Sequence, residues 1–116
     1  MNFIEYESLI FANLADQKTV LLSVEKPTFL NAVNICNTSE ANIRINLQIV
    51  RLLENPKQEN YLVKNVLIQP NESHNLMSLG NLEVFLKDGD NLLCFSNGYS
   101  QLFDCTICYT VMNEQI

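Results

Sequence analysis

The amino-acid sequence predicts an all-β domain, an antiparallel β-sandwich of jelly-roll type with about eight strands. Three observations predict it. Apolar residues recur with a period of two rather than 3.6. Turn-forming residues break these runs every 8–12 residues or so. At 116 residues with 47 % hydrophobic content, the chain is long enough and apolar enough for one core and one domain over 1–116.

The elements follow in order. Phe3–Leu14 suits neither period cleanly and reads as a strand or a short helix; residues 1–16 are expected to form an N-terminal arm or, preferably, an edge strand. Thr19–Val24 is a strand that Glu25-Lys26-Pro27 turns back. Phe29–Cys36 follows, ended by the Asn37-Thr38-Ser39-Glu40 turn. Ala41–Leu53 alternates Ile43, Ile45, Leu47 and Ile49 with Arg44, Asn46 and Gln48, which puts an apolar and a polar face on one strand. Glu54–Asn60, with Pro56, is the longest polar loop.

Leu62–Gln69 is the next strand, and Gln69-Pro70-Asn71-Glu72 reads as a turn with proline at its second position. Leu82–Lys87 and the run after Asp88-Gly89-Asp90 read as a hairpin, because Asp-Gly tolerates positive φ. Asn97-Gly98 is a second such turn, and isolated Gly80 marks another. In Leu102–Met112, Phe103, Cys105, Ile107, Tyr109 and Val111 share one face. The expected core is Val33, Ile35, Ile43, Ile45, Leu47, Ile49, Val66, Ile68, Val84, Leu92, Ile107 and Tyr109.

Charge and composition narrow the function classes. The net charge is −6, and the seven basic residues are spread singly. Phosphate backbones select clustered cations, so nucleic acid is not an expected partner. No apolar run approaches the ~18 residues of a membrane-spanning helix, so no membrane association is expected. Met1–Leu14 carries Glu5 and Glu7 without a basic lead-in, unlike a signal peptide, which places synthesis in a reducing cytoplasm. The low charged fraction, 17 %, is compatible with apolar surface covered by neighbouring subunits, or with a well-filled sandwich.

No catalytic constellation emerges, and the protein is expected not to be an enzyme. His74 is the sole histidine, has no nucleophile or orienting acid at a triad spacing, and reads as an exposed loop residue. Cys105 and Cys108 form a C-x-x-C within a strand, where residues three apart point to opposite faces and cannot share a zinc or close readily into a disulfide. They, Cys36 and Cys94 are expected to act as small buried hydrophobes. Asp88 and Asp90 supply too few oxygens for calcium. Two sequon matches, at Asn37 and Asn71, have little weight without export. No cofactor and no metal site is expected.

Tyr6, Tyr61, Tyr99 and Tyr109 offer aromatic faces that could stack on sugar rings, although strand-end tyrosines more often pack. This defines an alternative reading, a non-catalytic binding module for carbohydrate or a protein partner. It would use the Glu54–Asn60 and Asn97–Gln101 loops at one end of the sandwich, with Tyr61 and Tyr99 as candidate binding residues.

From Phe29 onward the order of signals resembles small bacteriophage virion structural proteins, the β-sandwich type of tail, neck and head decoration. Asn34-Ile35-Cys36-Asn37-Thr38-Ser39 resembles their strand and N-x-S/T turn. The stretch Leu62–Ile68, followed by Gln69-Pro70-Asn71-Glu72-Ser73, is similar to their strand ending in Pro-(Gly/Asn)-Glu-(Ser/Thr). Leu86-Lys87-Asp88-Gly89-Asp90-Asn91-Leu92 looks like their L-x-x-G-D-x-(I/L) hairpin. Asn71 stands where glycine is common, and four cysteines stand where few are usual. The resemblance implies a structural subunit of a phage or prophage-derived particle. It would be made in the host bacterial cytoplasm, reside in the virion, and associate with itself and other virion proteins, with a host-surface glycan as a further partner. It transfers no functional residue.

Overall fold

A computed structural model describes residues 2–78, 84–97 and 102–114. Gly80, Leu82, Gly98 and Tyr99, singled out above, lie outside the described residues. The described residues form two antiparallel sheets from nine strands: β1 (Asn2–Leu14), β2 (Thr19–Ser23), β3 (Thr28–Asn37), β4 (Ile43–Arg51), β5 (Gln58–Ile68), β6 (Ser73–Asn75), β7 (Val84–Leu86), β8 (Asp90–Ser96) and β9 (Phe103–Glu114). One sheet runs β1-β9-β3-β6, with β7 also pairing β3; the other runs β2-β8-β4-β5.

Strands β6 and β7 occupy one lane. Asn75 is opposite Asn34 and Val84 opposite Leu30, so the lane continues past β3 after an interruption. Counted by lanes there are eight strands, and their alternation between sheets is the jelly-roll order the sequence predicts. Within the segment 1–16, Asn2–Leu14 forms β1, which pairs β9 from Asn2↔Glu114 to Leu14↔Phe103.

The core lies between the sheets. Val33, Ile35, Ile45, Leu47, Ile68, Leu92 and Ile107 are fully enclosed, with Ile43, Ile49 and Val84 nearly so. Val66 and Tyr109, expected in the core, only pack against it from positions open to solvent on one side. Phe103, Leu30, Leu21, Leu76 and Leu86 complete the interior. Enclosing a side chain of this size contributes about 1.5–3 kcal/mol, which makes the alternating strands the main source of stability.

Polar side chains close the turns. The Asn37 side chain is fully buried: its Nδ2 donates to Ala41 O and Ile68 O at 2.8 and 2.9 Å, and its Oδ1 accepts from the Ser39 amide and hydroxyl. The Asn37 sequon is therefore a structural clamp between a turn and the end of β5. Asp90 Oδ2 caps the following hairpin, accepting from the Lys87 amide at 3.0 Å and from Arg51 Nη1 at 3.2 Å. Gly89 sits at φ 87°, and a Cβ there would collide with the Leu53 side chain, so this turn needs glycine on both counts.

Two polar expectations change. Asn46 and Gln48, placed on an exposed face by the alternation, are buried. β4 is a central strand whose outer face is covered by long side chains from β5 and β8, as described next. His74 lies on β6 rather than in a loop and is half-buried, its Nε2 2.9 Å from Glu72 Oε2.

Candidate docking surface

The two outer faces of the sandwich differ. On the β2-β8-β4-β5 sheet, Tyr61 of β5 leans toward Phe95 of β8 with ring centroids 6.3 Å apart. The Lys18 ammonium lies 5.3 Å from the Phe95 centroid and the Lys64 ammonium 4.9 Å from that of Tyr61. These cation–π contacts give the sheet a charged, hydrated cover. Beneath it Asn46 Nδ2 donates to Asn97 Oδ1 at 2.7 Å, and Asn46 Oδ1 accepts from the Asn65 amide at 3.0 Å. Asn97 Nδ2 closes the cluster on Asn65 Oδ1. Gln48 Oε1 is buried without a protein partner.

On the β1-β9-β3 sheet the cover is absent along one row. Tyr6 of β1 is opposite Thr110 of β9, Thr110 opposite Phe29 of β3, and Phe29 opposite Phe85 of β7. Phe29 and Phe85 meet edge to face at 4.9 Å. Thr110, which accepts a 2.6 Å hydrogen bond from Asn31 Nδ2, is buried beneath its neighbours. The three rings themselves face solvent: Tyr6 is 80 % exposed, Phe29 and Phe85 45 % each. Ile4 and Ile10 flank Tyr6 along β1, 55 % and 77 % exposed. Single exposed apolar residues are ordinary, whereas several aligned on one face make that face a candidate docking surface.

Of the two candidate binding residues, the described structure includes Tyr61 alone. Tyr61 is exposed in the middle of β5 with Lys64 against its ring, and Tyr99 lies outside the described residues. Of the two loops expected at one end of the sandwich, residues 98–101 of the second lie outside the described residues. The first follows β4 at Arg51 and packs on the β7–β8 turn, through Leu52 N–H to Gly89 O at 3.2 Å and Lys87 Nζ to Glu54 Oε1 at 2.8 Å. The second leaves from Asn97, whose amide donates to Arg44 O at the opposite end of β4. Residues 58–60 belong to β5, not to the first loop. The Lys87 ammonium, by hydrogen bond and charge, holds the Glu54 carboxyl below its ordinary range.

The cysteines divide. Cys94 and Cys105 are buried, while Cys36 and Cys108 are half-buried. Cys108 faces outward beside Ser8, with Sγ 4.0 Å from Ser8 Oγ, and Cys105 faces the interior, the opposite orientations expected of residues three apart on a strand. The sequence reading did not anticipate that Cys94 of β8 meets Cys105 of β9 between the sheets. A hydrogen bond with Cys105, followed by burial, raises the Cys94 thiol well above its usual range, so it is a poor nucleophile. Among the described residues no cluster of three or more His, Cys, Asp or Glu could hold a metal.

A cleft of about 210 Å³ opens between the end of β2 and β9, lined by Leu22, Glu25, Lys26, Thr28, Tyr109 and Val111. Burial first, and the Glu7 carboxylate second, raise the Tyr109 hydroxyl. A model of the XRCC1 N terminal domain matches residues 10–104, most of the sandwich just described. The chain belongs to the XRCC1 N terminal domain family. The matched segment of this XRCC1 N terminal domain begins inside β1 and stops inside β9, so Ile4 and Tyr6 fall outside it. No bacteriophage family is shown by this match.

No curated protein matches the sequence. A solved structure described as Bacillus endospore appendages that form a novel family of disulfide-linked pili overlays 100 % of this chain and 92 % of its own, at 8 % identity and a TM-score of 0.41. A likeness at that level carries no argument about role.

Proposed function

We propose that this protein is a non-catalytic structural subunit that works by self-association, as a component of a bacteriophage or prophage-derived particle. The observation that carries the self-association is the unpartnered row Tyr6–Phe29–Phe85 on the β1-β9-β3 sheet, flanked by Ile4 and Ile10. Covering such rings with a second copy removes apolar surface from water at roughly 25 cal/mol per Å², and repetition of a modest contact around a closed assembly multiplies its effect. The particle itself is supported by the turn and strand signatures around Asn37, Pro70 and Gly89, which resemble those of phage virion proteins.

Light scattering behind a sizing column, at several concentrations, tests the self-association. The expected result is a discrete mass above the 13.3 kDa of one chain, lowered by Phe29→Lys or Phe85→Lys. A single-chain mass at every concentration overturns it. Mass spectrometry of particles purified from a producing strain tests the location: the chain is expected at a fixed ratio to the major particle protein, and its absence there overturns that part.

A further inference from the structure

Two sheet edges among the described strands are long, those of β1 and β5, and along Ile4–Ile10 the first is guarded by nothing but the carboxylates of Glu5 and Glu7. Among the described residues β1 hydrogen-bonds to β9 alone, so the other side of a 13-residue strand presents unpaired amide and carbonyl groups. From Ile4 to Ile10 its side chains are exposed on both faces. Proteins normally blunt such an edge with charged side chains, lysine above all, with proline or with a bulge. Here the bulge comes only after Phe11, where Asn13 takes φ 57°, and no lysine or proline occurs in the strand.

We infer that β1 pairs antiparallel with β1 of a second copy, about a two-fold axis through Ser8. This deepens the self-association proposed above and rests on it. A two-fold axis normal to the sheet keeps outward residues outward, so outward residues must face outward residues across the new seam. The unbulged stretch ends at Phe11, which leaves few registers. Centred on Tyr6, the strands set Glu5 against the partner copy's Glu7 twice. Centred on Glu7, they set the two Glu7 carboxylates face to face. Like charges directly opposite are destabilising. Centred on Leu9, only five residues on each strand pair before the bulge.

Centred on Ser8, Glu5–Phe11 pairs as seven residues with no carboxylate opposite a carboxylate. Tyr6 then lies opposite Ile10 of the other copy and Ile10 opposite its Tyr6. The two most exposed large apolar side chains of the described strand thus cover each other. The symmetric seam joins two five-stranded sheets into one and closes both free edges at once, so it stops at a dimer rather than running on as a filament.

Charge exchange across the seam tests the register. The full-length protein is measured by sedimentation equilibrium, with thermal unfolding of every variant as a folding control; Tyr6 and Ile10 are exposed, so their replacement leaves the monomer folded. Tyr6→Glu with Ile10→Glu places carboxylates opposite each other at two points and is expected to shift dimer dissociation to at least about tenfold higher concentration. Tyr6→Glu with Ile10→Lys places opposite charges at the same two points and is expected to restore the dimer. Wild-type assembly that neither double variant changes overturns the β1 seam and leaves only the Phe29–Phe85 part of the row to carry self-association, which Phe29→Lys and Phe85→Lys test separately. Equal weakening by both double variants overturns the Ser8 register. A wild-type protein that is monomeric throughout overturns both.

Discussion

Strands β1 and β5 are both long edges, 13 and 11 residues, yet the molecule treats them in opposite ways. β5 is bulged around Val63–Val66, with Asn65 in the left-handed region at φ 57°, and its amide is taken by Asn46. Lys64 lies over Tyr61, and Lys57 pairs with Glu59 at 3.4 Å. At its end Ile68 is fully buried and its carbonyl is held by Asn37. Along Ile4–Ile10 β1 has nothing of the kind but the carboxylates of Glu5 and Glu7; only Phe11 and Leu14, at its far end, reach the core. An edge can be made safe by twisting and charging it, as β5 is, or left as a template for another strand, as β1 is.

Substitutions that separate these two edges should differ most where burial differs most. Ile68→Ala, which removes the buried anchor of β5, is expected to cost about 2–5 kcal/mol in urea unfolding. Ile10→Ala on β1 is expected to stay within about 0.5 kcal/mol for the monomer, and a cost comparable to that of Ile68→Ala would mean that β1 is anchored after all. Asn37→Ala strips the clamp from the β5 end and leaves the Ile68 carbonyl without its buried side-chain donor. It should cost about 1–3 kcal/mol, read in the same assay.

A smaller effect belongs to the cover of β5. Lys64→Ala, which uncovers Tyr61, is expected to cost about 0.5–1 kcal/mol and to lower the melting temperature slightly in calorimetry. The smallest concerns the loop that precedes β5. Glu54 is held by Lys87 with its acidity increased, so the pair contributes above the ordinary glutamate pKa and is lost as pH falls through the depressed folded value. A pH series from neutral to acid is expected to show that contribution disappearing in the wild type but absent throughout in Glu54→Gln; the same acid dependence in both would remove the pair from the account. Because Glu54 is exposed, the effect should also shrink with added salt.

Much of the sandwich was legible because burial writes itself into local alternation. Ile43, Ile45, Leu47 and Ile49 announced β4, and Phe103, Cys105 and Ile107 announced the start of β9. Asp88-Gly89 and Gln69–Glu72 announced their turns through the backbone needs of Gly89 and Asn71, both at positive φ. The stretch Phe3–Leu14 was ambiguous for the same physical reason that now makes it of interest. A strand with one buried face alternates, whereas Ile4, Tyr6 and Ile10 lie on a strand exposed on both faces, so nothing imposes a period of two. The polar reading of Asn46 and Gln48 failed because alternation reports which face a residue occupies, not whether a neighbouring strand covers that face.

The candidate surface was much less legible. Tyr6, Phe29, Phe85 and Thr110 are separated by tens of residues and become one row only through three strand pairings. Sequence drew attention instead to Tyr61, which the fold sets beneath Lys64. By itself the sequence determined that the chain forms short antiparallel strands around one apolar interior and where most turns fall, because these depend on side-chain alternation and backbone preference within a few residues. Which edge stays open, which aromatic rings align and which cysteines meet were decided only by tertiary structure, because each depends on the pairing of strands far apart along the chain.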